Sequence, residues 1–102
     1  MRREIILAPE AKEDLKALKA PDRAAVRNAM EKHLRHEATK TSRSRIKRLR
    51  GMRRPQYRLR VEDIRVFYDV TAAVEVLAIV PKSETAAWLQ RHGEPEKETT
   101  EE

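Results

Sequence analysis

Arg58, Arg60 and Arg65 are the residues of this sequence best suited to chemistry on a phosphate. A two-residue turn at Glu62-Asp63 would place Arg60 opposite Arg65 and Arg58 opposite Phe67. Period-two alternation then sends Tyr57, Leu59, Val61, Ile64, Val66 and Tyr68 to one face of the hairpin and the three arginines to the other. Like charges directly opposite on a sheet cost a few tenths to about 1 kcal/mol. An anion lying between them removes that cost, and the planar donor fork of arginine matches phosphate oxygens. Phe67, among the arginines, offers a ring on which a base could stack. Two other readings stand beside this one: a solvated face with scattered arginines, or a face covered by a partner protein at Phe67, Leu77 and Ile79.

The charge distribution points the same way. The chain has 102 residues, 23 Lys+Arg against 17 Asp+Glu, and a net charge of +6. Positions 40–65 carry a net +9, positions 1–39 only +2, and positions 66–102 a net −5. A dense basic block in a chain otherwise near neutral is the footprint of a polyanion ligand. Lys47, Arg48, Arg50, Arg53 and Arg54 of that block are candidate contacts to a nucleic-acid backbone, with Phe67 and Trp88 as candidate stacking partners.

Other chemistries are excluded by what is missing. With no cysteine there is no disulfide, thiolate nucleophile or Cys-bound zinc. Two glycines cannot build a Gly-rich phosphate loop. No ligand cluster suggests a metal or cofactor, and none is expected. No apolar run approaches the roughly 20 residues of a membrane span, and after Met1-Arg2-Arg3-Glu4 the apolar stretch is only Ile5 to Ala8, no signal pattern, so a cytoplasmic protein is expected. Only His33, His36 and His92 titrate near neutrality. His33 lies on the apolar side of a helix and reads as a core-edge residue, and the other two read as surface. Tyr57 and Tyr68 fall on the core face and read as packing.

The elements that must position these residues can be read in outline. Residues 3–8 form a short apolar strand ending at Pro9. Pro9 and Pro21 each open a helical pattern, with Ala11, Leu15 and Leu18 on the first stripe and Val26, Ala29, Met30 and Leu34 on the second. The tight link Lys19-Ala20-Pro21 predicts an antiparallel helical hairpin. Thr39–Arg54 reads as a basic loop with a Gly51 turn and one helical turn around Ile46–Leu49. Three alternating segments, Tyr57–Val61, Ile64–Val70 and Val74–Val80, predict an antiparallel meander stopped by Pro81. Ser83 can cap a last helix through Trp88 and Leu89, and Gly93 ends it. The expectation is an α+β domain over residues 1–93, ordered β-α-α-β-β-β-α, with the helical hairpin packed on a mainly antiparallel four-stranded sheet. The acidic stretch 94–102 is expected to be a disordered tail.

The segment KRLRGMRRPQYRLRVEDIRVFYDV, followed by VEVLAIVPKSETAAWL, resembles the RelE/ParE superfamily of type II toxins, on the side of its RelE branch. The similarity runs over roughly residues 3–92 and centres on Leu49-x-Gly51 through Tyr68, with a Tyr-basic-x-basic strand and an Arg-x-x-Tyr strand. It implies a RelE-like fold and an endoribonuclease that cuts mRNA on the ribosome and is neutralised by a cognate antitoxin. In that chemistry the substrate's own 2′-OH attacks the phosphate without a metal. Arg60 and Arg65 would then stabilise charge on the phosphate, Arg58 would fix the backbone or the attacking hydroxyl, and Lys82 would serve the leaving group.

Two departures stand out. Some members have a lysine as general base where this chain has arginine, which stays protonated. Several have a functional tyrosine in the final segment, where this chain has Trp88. The resemblance therefore also admits a ParE-like poison of DNA gyrase, or a non-catalytic RNA-binding relative. An apolar patch of Phe67, Leu77, Ile79 and Trp88 is the expected seat of an antitoxin segment.

Overall fold

The computed structural model describes residues 2–96. Strand β1 (Ile5–Leu7) leads into helix α1 (Pro9–Ala17) and, after a sharp turn, helix α2 (Ala20–Glu37). Strands β2 (Ile46–Arg48), β3 (Met52–Arg54), β4 (Tyr57–Val61), β5 (Ile64–Val70) and β6 (Val74–Pro81) follow. A short 3-10 turn (Lys82–Glu84), helix α3 (Thr85–His92) and strand β7 (Glu94–Pro95) complete the described chain.

Both long helices begin with proline in the first turn, where a missing N–H costs nothing. Ala11 and Leu15 of α1, and Val26, Met30 and Leu34 of α2, are buried at helical spacing. They meet Leu59, Val61, Ile64, Val66, Tyr68, Val74, Val76 and Ile79 from one face of the sheet to form the main core. The sheet order is β1-β6-β5-β4-β2, with β1 parallel to β6 and every other pair antiparallel.

The α+β class, the helical hairpin and the three-strand meander stand as expected from the sequence, and the basic block departs from it. It is a loop only in part: residues 39–45 and the Gly51 turn are irregular, but Ile46–Arg48 is an edge strand on β4, and Met52–Arg54 is a strand of a separate two-stranded ribbon with β7. Ile46 and Leu49 have the spacing of a helical turn, but pairing Ile46 with Leu59 buries Ile46 in the core, and β4 supplies the main-chain partners. The sheet thus has five strands rather than four. Of the stretch read as a disordered tail, Glu94–Pro95 is strand β7, and residues 97–102 lie outside the described residues. Gly93 ends α3 as expected, but Ser83 does not cap it. The chain enters α3 through the 3-10 turn, where the Thr85 hydroxyl donates to Lys82 O (3.0 Å).

A bulge resets the alternation of β6. Phe67 pairs with Ala78 and Tyr68 with Val76, so Leu77 is the extra residue. Ile79 therefore joins Val74 and Val76 on the core face, while Ala78 and Val80 join Phe67 on the opposite one. There α3 covers them with Trp88 and Leu89, so the centre of the sheet is buried on both sides.

Candidate nucleic-acid interface

The β4–β5 hairpin turns on Glu62 and Asp63 in the register read from the sequence: Val61 opposite Ile64, Arg60 opposite Arg65, Arg58 opposite Phe67 and Tyr57 opposite Tyr68. Glu62 takes the positive φ (56°) that such a short connection demands. The Arg60 N–H donates away from β5, to Arg45 O (2.9 Å). Arg60 and Arg65 therefore form a non-hydrogen-bonded pair, the arrangement in which facing side chains approach most closely. Lys47 stands opposite Arg58 on β2, so one face carries Arg60 and Arg65 in one cross-strand row and Lys47 and Arg58 in the next.

No member of this group is neutralised. Among the described residues, the ion pairs do not include Lys47, Arg58, Arg60 or Arg65. Burial, together with Arg65 and Arg60, disfavours the charge on half-buried Arg58 and pulls its pKa down, and its Nε has no hydrogen-bond partner. Burial and the Arg60 charge likewise depress Arg65, partly offset by Asp63. Arg65 is only 7% exposed, and its Nη1 donates to Glu62 O (2.7 Å) and Ile64 O (3.1 Å), bracing the turn from within. Arg60 is exposed. Lys82 follows Pro81, which pairs with Ile64, and the Lys82 N–H donates to Asp63 O (2.7 Å). This puts Lys82 at the same end of the sheet as Arg60 and Arg65.

The rest of the basic block is divided. Arg48 lies on the other face, donating to Leu49 O (3.0 Å) and Gln56 O (2.9 Å) with its guanidinium 5.4 Å from the Tyr57 ring centroid. Arg53 pairs with Glu94, and Arg54 with Asp69 (3.5 Å) and Glu75 (3.8 Å). Arg50 is exposed beside Gly51, whose φ of 75° makes the turn. Lys47 joins the arginine face directly, whereas Arg48, Arg53 and Arg54 already have partners within the chain.

A family model for the ParE toxin of the type II toxin–antitoxin system parDE matches residues 5–86. The chain belongs to the ParE toxin family. The toxin also resembles, at 17% identity and a TM-score of 0.62, a chain in the crystal structure of the RelB-RelE antitoxin-toxin complex from Methanococcus jannaschii. That match covers 81% of the toxin and 96% of the other chain, and it shows the shared fold. No curated protein matches the toxin. It is a type II toxin of the RelE/ParE superfamily, and the family model that matches carries the ParE rather than the RelE name.

Phe67 requires a correction. It is 1% exposed and lies flat against Trp88, with ring centroids 5.1 Å apart and planes 9° from parallel, so its ring offers no face to a base. Trp88 is half-buried between Phe67 and His92, and its Nε1–H points to a Glu10 carboxylate oxygen at 3.5 Å. The expected antitoxin patch is also corrected, since Leu77 and Ile79 are buried too, Ile79 on the face of the sheet opposite Phe67. Among the described residues, the large apolar residue left exposed is Ile6 on edge strand β1, at 48%.

Tyr68, which completes the Arg-x-x-Tyr motif, packs as expected. It stacks on Tyr57 and donates its hydroxyl to Ala38 O (2.7 Å), the C-cap residue of α2. Burial pushes its phenol pKa well up, so the hydroxyl stays protonated and is a weaker acid than a free tyrosine. Arg45, exposed and beside Arg60, is a residue the sequence reading missed. The signal was there: basic residues at 43, 45 and 47 alternate with Ser44 and Ile46.

Proposed function

We propose that the toxin acts on RNA, gripping the backbone with Arg58, Arg60 and Lys47 and cleaving mRNA engaged with the ribosome in the cytoplasm. The observation that carries this reading is the unneutralised cross-strand pair Arg60–Arg65 with Arg58 beside it. Fixed cations on a rigid strand pair stabilise charge that develops on a phosphate without reorganising. The bond formed joins the substrate's 2′-oxygen to phosphorus, and the bond broken releases the 5′-oxygen, which Lys82 would protonate. Arginine does not accept protons, so the proton of the 2′-OH leaves to water or to a group on the ribosome. A cognate antitoxin is the expected partner, in keeping with the antitoxin-toxin complex of similar fold.

A second reading is favoured by two observations. The matching family is that of ParE, and no side chain of the arginine face can take up a proton near neutrality. Inhibition of DNA gyrase by protein contact needs no proton acceptor. Expression without an antitoxin separates the readings. Growth arrest with fragmented translated mRNA supports the first. Arrest with intact mRNA and lost supercoiling supports the second and sinks the first.

A further inference from the structure

The last described residues fold back onto the basic block. Gly93 leaves α3 through a close approach, since a Cβ there would stand 2.5 Å from Leu89 O and 2.6 Å from Met52 Cε. Strand β7 then pairs with β3, Glu94 opposite Arg54 and Pro95 opposite Met52. The Glu96 N–H donates to Gly51 O (2.8 Å), and the Glu94 carboxylate pairs with Arg53. An acidic strand thus lies on the part of the basic block that carries Arg53, with Arg50 on the same turn.

We propose that β7 is an intramolecular competitor for RNA. Glu94 holds the Arg53 guanidinium as a phosphate would, and RNA reaches the β3 turn only when β7 lifts away. This rests on the RNA-binding reading above and adds a regulation to it. The strap is light enough to be displaced. It is two residues long, its ion pair is exposed (69% and 46%), and α3 behind it has no fully buried residue. Exposed pairs contribute little and are screened by salt. A closed population nonetheless lowers apparent affinity by the fraction that is open.

The test uses the full chain, Glu94→Gln and a labelled single-stranded RNA oligonucleotide titrated over a range of salt. The variant is expected to bind about 3–10-fold more tightly at low salt, with a salt slope steeper by about 0.7, the value of one added phosphate contact. Adding Arg53→Ala should erase the gain. In wild type, RNA should speed hydrogen exchange at the Glu96 amide. Unchanged affinity and slope in Glu94→Gln, with Arg60→Ala still weakening binding, would overturn the competitor and leave the RNA reading intact. No RNA binding by either protein, and no effect of Arg60→Ala, would overturn both.

Discussion

Arg60 and Arg65 face each other across β4 and β5, yet they are not equivalent. Arg60 is exposed, whereas Arg65 is buried with one guanidinium nitrogen on the carbonyls of Glu62 and Ile64. One arginine is free to meet a ligand, and the other holds the turn that presents it. Arg65→Ala should therefore cost stability, about 1.5–3 kcal/mol for lost charged hydrogen bonds. Arg60→Ala should leave stability within about 0.5 kcal/mol of wild type or raise it slightly, because it removes a like-charge pair. It should still weaken RNA binding and flatten its salt dependence. Urea unfolding and RNA titration on the same two proteins check the division.

Phe67 gives a contrasting case. Stacked under Trp88 in the second core cluster, it should behave as a packing residue. Phe67→Ala should cost about 3–5 kcal/mol, a large share of the roughly 5–15 kcal/mol that domains of this kind possess. Phe67→Leu is the milder variant to examine. Its RNA affinity, corrected for the folded fraction, should equal that of wild type. A loss of RNA affinity with stability retained would return Phe67 to the interface.

The Tyr68 hydroxyl makes stability fall in alkali. Its folded pKa lies above the unfolded value because burial disfavours the phenolate, with Tyr57 adding to the shift. Stability from this group is full below about pH 10 and falls as pH rises above it, because the unfolded phenol ionises first. Tyr68→Phe loses the bond to Ala38 O, about 1 kcal/mol at neutral pH. It should also show a flatter stability profile above pH 10, read by chemical denaturation.

His33 acts at the other end. Its pKa is depressed by burial first and then by Arg45 and Lys32, with Glu37 opposing. The unfolded imidazole therefore takes up its proton first as pH falls below about 6.5. Stability from neutral His33 is present above that pH and is lost as acid is added. His33→Gln should flatten the melting temperature between pH 6.5 and 5. An unchanged slope would place the acid sensitivity elsewhere.

The hairpin was legible because two alternating strands outvote a turn that lacks Gly or Asn, and Glu62 accepts the left-handed conformation. Strand β2 was not, since its single apolar residue, Ile46, carries too little period-two signal, and its pairing comes from the main chain of β4. The patch at Phe67, Leu77 and Ile79 was misread for two reasons. The bulge at Leu77 reverses the parity of β6, and an apolar second face does not itself show whether a helix of the same chain or a partner covers it. The apolar content of α3 was visible in Trp88 and Leu89, but the surface it covers is a tertiary fact. Of the candidate site, the charges could be counted from the sequence. Which of them stay unpaired depended on where Glu75, Asp69 and Glu94 come to rest.

The most direct test is cleavage of mRNA by the purified toxin on programmed ribosomes, followed by analysis of the new 3′ end. Cleavage is expected only with ribosomes present, with a 2′,3′-cyclic phosphate on the upstream fragment and a large loss of rate in Arg60→Ala at unchanged stability. Intact mRNA with the wild-type toxin, or undiminished cleavage by Arg60→Ala, would contradict the RNA-cleaving reading.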